Sequence, residues 1–138
     1  AVGNGMVTER HRAIAQELMD AVGQTAWIED EGLMDAVTAV SGSGPAYVFL
    51  VAECLAAAGR EAGLPDALAA QLARQTVAGA GALLAASELE ASVLRRNVTS
   101  PGGTTAAALA VLMREGGLEP LFVEAVKAAA RRSRELAG

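Results

Sequence analysis

The chain has 138 residues, 52% of them hydrophobic but only 3% aromatic, and a formal net charge of −5. That length supports one domain, or one domain and a piece of another, with enough apolar residues for a core. The acidic balance excludes the clustered basic face that nucleic-acid binding requires. A single cysteine, Cys54, and a single histidine, His11, exclude a disulfide framework, a cysteine- or histidine-based metal site and a histidine triad.

The chain opens Ala1-Val2-Gly3-Asn4-Gly5, with no basic segment followed by an apolar run, so no signal peptide is read there. The longest uncharged run, Ala36 to Ala52, is broken by Ser41-Gly42-Ser43-Gly44-Pro45 and followed by Glu53, which argues against a membrane span. A soluble, cytoplasmic protein is the expectation. The missing initiator methionine and the start on mid-element sequence suggest a fragment of a longer chain.

Residues 1–30 differ in texture from the rest. Gly5-Met6-Val7 reads as the end of an extended segment, and Thr8 as the N-cap of a helix from Glu9 to about Val22, with Gly23 just past its end. Thr25 to Glu29 reads as a short strand. A strand–helix–strand piece this small cannot cover its own edges, so it should be the tail of a larger α/β domain. His11 is expected to be exposed, Trp27 to anchor the strand, and Cys54 to be a small core residue.

From Glu31 onward the pattern is helical, and a mainly α architecture of about five to six helices is expected over residues 31–138. The Ser-Gly-Ser-Gly-Pro insert should kink or interrupt a helix. Gly63 closes the helix beginning at Ala46, and Pro65-Asp66 opens the next. The second half of that helix, Thr76 to Ser87, carries no charge and holds Gly79 and Gly81, so it should be buried and closely approached. Leu89 to Asn97 reads as a short helix or turn. A further helix runs to about Arg114, closed by Gly116-Gly117, and the last opens near Glu119-Pro120. This is more apolar surface than one bundle of such length must hide, and an intertwined dimer would hide the remainder.

The chain is organised around Asn97-Val98-Thr99-Ser100-Pro101-Gly102-Gly103-Thr104-Thr105, followed by the apolar run Ala106 to Met113. A glycine turn feeding a helix presents unpaired N–H groups and the positive dipole end, which suit a carboxylate or phosphate. Ser100, Thr104 and Thr105 add hydroxyls at the same place. An ordinary helix cap accounts for part of the pattern. Two glycines flanked by four hydroxyl residues are more than a cap needs, so both readings stand on the residues alone.

Val98 to Thr105, with Leu94 before it and Met113 after it, resembles the signature of pyrroline-5-carboxylate reductases. Met34 to Tyr47, through Ser41-Gly42-Ser43-Gly44-Pro45, resembles a second stretch typical of that family. The resemblance covers essentially the whole chain but not the family's amino-terminal Rossmann domain, whose tail residues 1–30 would be. It implies reduction of 1-pyrroline-5-carboxylate to L-proline, the last step of proline synthesis, with hydride from NADPH or NADH. It also implies an intertwined homodimer, often assembled into decamers, with the isolated fragment inactive. The substrate carboxylate would be held at Ser100, Gly102, Gly103, Thr104 and Thr105, and Thr105 would donate a hydrogen bond to the ring nitrogen. Glu88 would favour the cationic imine; on its own it reads equally as a solvated helix-end carboxylate. Asn97 and Val98 would touch the nicotinamide end of the cofactor. The rivals are a related imine or β-hydroxyacid reductase and a helical dimerisation module without chemistry.

Overall fold

A computed structural model describes residues 1–138, and its architecture is helical. The helices are α1 (Glu9–Asp20), α2 (Met34–Val37), α3 (Gly44–Glu61), α4 (Asp66–Ala86), α5 (Ala91–Asn97), α6 (Thr104–Leu112) and α7 (Leu118–Ala137). Six of them, α2 to α7, lie beyond Glu31, as the periodicity led us to expect.

The amino-terminal piece is tied together by polar contacts. Thr8 caps α1 through its hydroxyl, which accepts from the His11 amide at 3.3 Å, and His11 Nδ1 accepts from the Thr8 amide at 3.4 Å. This reciprocal pair satisfies two donors, with histidine in the role glutamate usually takes. Gly5-Met6 is not the end of a strand but a turn, closed by Val7 N–H to the Asn4 carbonyl at 3.0 Å and Met6 N–H to Asn4 Oδ1 at 3.0 Å. The asparagine side chain captures its own backbone two residues on, which competes with an extended path. The only strand-like pairing is a parallel bridge between Val2 and Ile28. Trp27 docks on α1, donating its indole N–H to Gln16 Oε1 at 2.6 Å, with the Arg12 guanidinium 4.8 Å above the ring centroid.

The insert at Ser41 becomes a turn of π-helix over Thr38–Gly42, with Ser43 N–H reaching the Thr38 carbonyl at 2.9 Å. The widened turn leaves the Ala39 carbonyl for Tyr47, whose hydroxyl donates to it at 3.1 Å. The Tyr47 ring meets Phe122 edge-on at 6.2 Å. One side chain thereby pins the π turn, α3 and α7 together.

α3 and α4 form a helical hairpin. Gly63 takes φ +95°, Leu64 N–H donates to Gly59 at 3.0 Å and Gly63 N–H to Arg60 at 2.9 Å. This is a Schellman closure, followed directly by Pro65, which cannot continue a helix. A methyl group on Gly59 would meet Ala69 Cβ at 3.3 Å, so glycine lets the two helices approach.

The core within the protomer is small. Ala39, Ala56, Ala69 and Ala73 are the only buried residues, while Phe49, Leu50 and Leu121 are 66%, 57% and 60% exposed. The protomer presents 10696 Å² of accessible surface. A compact protein of 13.9 kDa would present about 6,700 Å². The excess of about 4,000 Å² over that value reflects how little of the apolar helix surface is covered within the protomer. Cys54 is exposed, against expectation. It lies in an apolar groove of about 500 Å³ between α3 and α7, lined by Leu50, Leu55, Leu118 and Leu121 among others, which no element of the protomer fills. The uncharged half of α4 is likewise bare: in Thr76–Ala86 only Val77 is partly covered. By length and mean hydropathy the run Glu31–Glu61 would reach across a bilayer. The π turn within it and its packing against α4 and α7 fit a helix that meets other helices.

Candidate functional site

The turn before α6 is built by its sequence. Ser100 accepts from Gly103 N–H at 3.0 Å, closing a four-residue turn with Pro101 second and Gly102 third, the latter at φ +69°. Proline at the second position and glycine at positive φ at the third define a type II turn. Gly103 then serves as N-cap of α6 in extended conformation, φ −80° and ψ 176°. Glycine has no side chain to cap with, so the amides of Thr104, Thr105 and Ala106 have no partner in the chain. Most helices satisfy these donors with Ser, Thr, Asp or Asn at the cap. Here they face outward beside the exposed residues Thr104 and Thr105.

The hydroxyls sort clearly. Ser100, Thr104 and Thr105 are exposed. Thr99 is different: its hydroxyl donates to the Arg95 carbonyl at 2.6 Å. α6 is uncharged, and Arg95 and Arg96 in the last turn of α5 are the cations nearest in sequence to the turn that precedes it. The arrangement can hold one small anion at the α6 N-terminus, with three hydroxyls free to contact the rest of the ligand.

The turn thus brings Ser100, Gly102, Gly103, Thr104 and Thr105 together. The Gly103 amide is turned inward to Ser100, leaving its contribution to shape. Asn97 and Val98 adjoin the turn at the end of α5, with Val98 62% exposed. Glu88 lies in the exposed connection between α4 and α5, and no hydrogen bond joins it to the turn. Chain pattern could not disclose the Thr99–Arg95 bond, because a threonine after a helix reads equally as loop. No cluster of histidine, cysteine or acidic residues that could hold a metal ion is present.

Several known proteins are similar to this chain over almost its whole length. Residues 31–136 match the family described as pyrroline-5-carboxylate reductase dimerisation. A pyrroline-5-carboxylate reductase of Pseudomonas aeruginosa is 46% identical over 134 residues, covering 97% of this chain and 49% of that protein. The solved structure of a pyrroline-5-carboxylate reductase from Coxiella burnetii superposes with a TM-score of 0.91 at 41% identity, over 98% of this chain and 50% of that one. The crystal structure of a Plasmodium falciparum pyrroline carboxylate reductase with NADP bound gives 0.78 at 32% identity, over 98% and 51%. The chain therefore spans about half the length of the relatives it matches. With more than half of its residues inside the matched family, this chain belongs to the pyrroline-5-carboxylate reductase dimerisation family.

Proposed function

We propose that residues 31–138 are the dimerising and substrate-holding half of a pyrroline-5-carboxylate reductase, with residues 1–30 the tail of its cofactor-binding domain. The observation that carries the reading is the glycine-capped N-terminus of α6, whose free amides and hydroxyls suit a small carboxylate. In this reading the amides of Thr104, Thr105 and Ala106 bind the substrate carboxylate, and the Ser100 and Thr104 hydroxyls fix its orientation. The Thr105 hydroxyl hydrogen-bonds the ring nitrogen, donating to the neutral imine or accepting from the N–H of the protonated one, which helps to hold the imine where its carbon is reduced. A threonine hydroxyl is too weak an acid to protonate the nitrogen unaided, so the proton arrives through solvent or is already on the imine. Glu88, on the connection from α4, contributes a negative charge favouring that cationic form once the assembly is complete.

The nicotinamide cofactor, NADPH or NADH, supplies the hydride when bound. The residues here that fit it are few: the exposed Val98 side chain offers an apolar contact and Asn97 an amide, while most of its binding falls to the cofactor domain. The exposed apolar surface supports self-association, read here as an intertwined homodimer with a decamer as the higher assembly; the net charge of −5 is unfavourable to a nucleic-acid partner, and the enzyme is read as cytoplasmic, without a membrane partner. The full gene product with Thr105→Val tests the site. Binding of a proline-like carboxylate and imine-dependent NAD(P)H oxidation should both fall. Unchanged values in that variant would favour a helical dimerisation module without chemistry.

A further inference from the structure

Substantial helix packing in the protomer involves α2, the π turn, α3, α4 and α7, with α5 and α6 standing outside it. The link between them carries several local hydrogen bonds. Only Val98 and Thr99 separate the end of α5 at Asn97 from the turn that begins at Ser100. A helix C-terminus leaves its last carbonyls without partners. Here Val98 N–H takes Leu94 at 3.3 Å, Thr99 N–H takes Arg96 at 3.0 Å, and the Thr99 hydroxyl takes Arg95 at 2.6 Å. Residue 99 thus holds two successive carbonyls, one through its backbone and one through its side chain. Of the hydroxyls around the turn, its own is the one with a partner inside the chain.

We propose that Thr99 is a positioning residue: it clamps the turn to α5 and so fixes the direction in which the α6 N-terminus meets the substrate carboxylate. The proposal rests on the reading that this N-terminus holds that carboxylate. Thr99 touches neither substrate nor cofactor in it. It acts by limiting how far Ser100 to Gly103 can swing, which fixes the orientation of α6 and its three free amides relative to α5. Loss of the clamp should weaken carboxylate binding equally in the ground and transition states, raising KM and leaving kcat little changed.

The test uses the full-length enzyme with Thr99→Val, which keeps the shape and removes the hydroxyl, and Thr99→Ser, which keeps the hydroxyl. Amide hydrogen exchange is read at Val98, Thr99 and Gly103, and KM is measured for the imine and for NAD(P)H. Thr99→Val should exchange roughly two- to tenfold faster at these amides, from the loss of one hydrogen bond. Its KM for the imine should rise by a similar factor while KM for NAD(P)H stays put, and Thr99→Ser should restore both. Unchanged exchange in Thr99→Val overturns the clamp. Faster exchange with an unchanged imine KM, or equal effects on both KM values, overturns the positioning role. A wild-type enzyme that does not saturate with the imine, while exchange still responds to Thr99→Val, overturns the substrate reading instead, and the exchange data identify that as the cause.

Discussion

Gly102→Ala is the most direct perturbation of the turn. Gly102 has φ +69° and nothing within 4 Å of the position a methyl group would take. The substitution therefore meets no neighbour, and its effect is confined to the backbone. An L-residue in the left-handed region costs about 1–2 kcal/mol. That energy bears on the type II turn specifically, because the alternative type I turn takes a negative φ at the same place. If the turn populates the alternative, the peptide between Pro101 and Gly102 flips and turns the Gly102 amide away from the side it takes in the type II turn, next to the α6 amides. Apparent affinity falls with the fraction of competent turn, so the loss is bounded at roughly 5- to 30-fold for 1–2 kcal/mol. Calorimetric titration of a proline-like carboxylate into the full-length protein reads this directly. Gly102→Asn, which tolerates positive φ better, should fall between wild type and Gly102→Ala. Affinity in Gly102→Ala equal to wild type would refute the reasoning, since no steric explanation is available to offset it.

Three further outcomes follow from the same structure. A methyl group on Gly117 would collide with the Leu112 carbonyl and sit 2.8 Å from that of Arg114. Gly117→Ala should therefore cost at least about 2 kcal/mol, seen as a Tm lower by several degrees. Gly116→Ala, at φ +72° in open space, should cost less, and the reverse order would discredit the geometry of this turn. Asp20 accepts from the Thr25 hydroxyl at 2.7 Å and from Gln16 at 2.8 Å, which holds its carboxyl below the ordinary value of 3.8. A lowered folded-state pKa contributes stability above the ordinary value that is lost as pH falls through the lowered one. Because Gln16 also holds the indole of Trp27, the only tryptophan, fluorescence should change on acidification below about pH 4. Asp20→Asn should remove that transition. Finally, Leu121→Asp places a charge in the α3–α7 groove. It should convert the protein to monomer in sedimentation and abolish the rise of Tm with concentration that a coupled dimer shows. A stable dimer in that variant would place the interface elsewhere.

Much of the helical order was legible because its boundaries are written in backbone chemistry. Gly63 with Pro65, Thr8, and Gly116-Gly117 each impose a local geometry that no distant contact is needed to explain. The turn before α6 was legible for the same reason: Pro101 and Gly102 specify a type II turn, and Gly103 has no side chain to cap with. What escaped the sequence depends on groups distant in the chain or outside it. Cys54 reads as core because its neighbours are apolar, yet those neighbours face a groove that no element of the protomer fills. Met6 reads as strand because nothing in the alternation reveals that Asn4 will capture its amide. The bond from Thr99 to Arg95 was equally invisible, since its donor sits beyond the helix that its acceptor closes. Glu88 is brought no nearer to Thr105 by any hydrogen bond of the protomer, so its role turns on the complete assembly.

In the proposed function this domain presents a carboxylate-bearing cyclic imine to a hydride donor. The measurement that tests it most directly is NAD(P)H oxidation by the complete gene product, with and without 1-pyrroline-5-carboxylate. We predict oxidation only when the imine is present, with L-proline as the product. Oxidation indifferent to the imine, or none with the dimer intact and the cofactor bound, would contradict it.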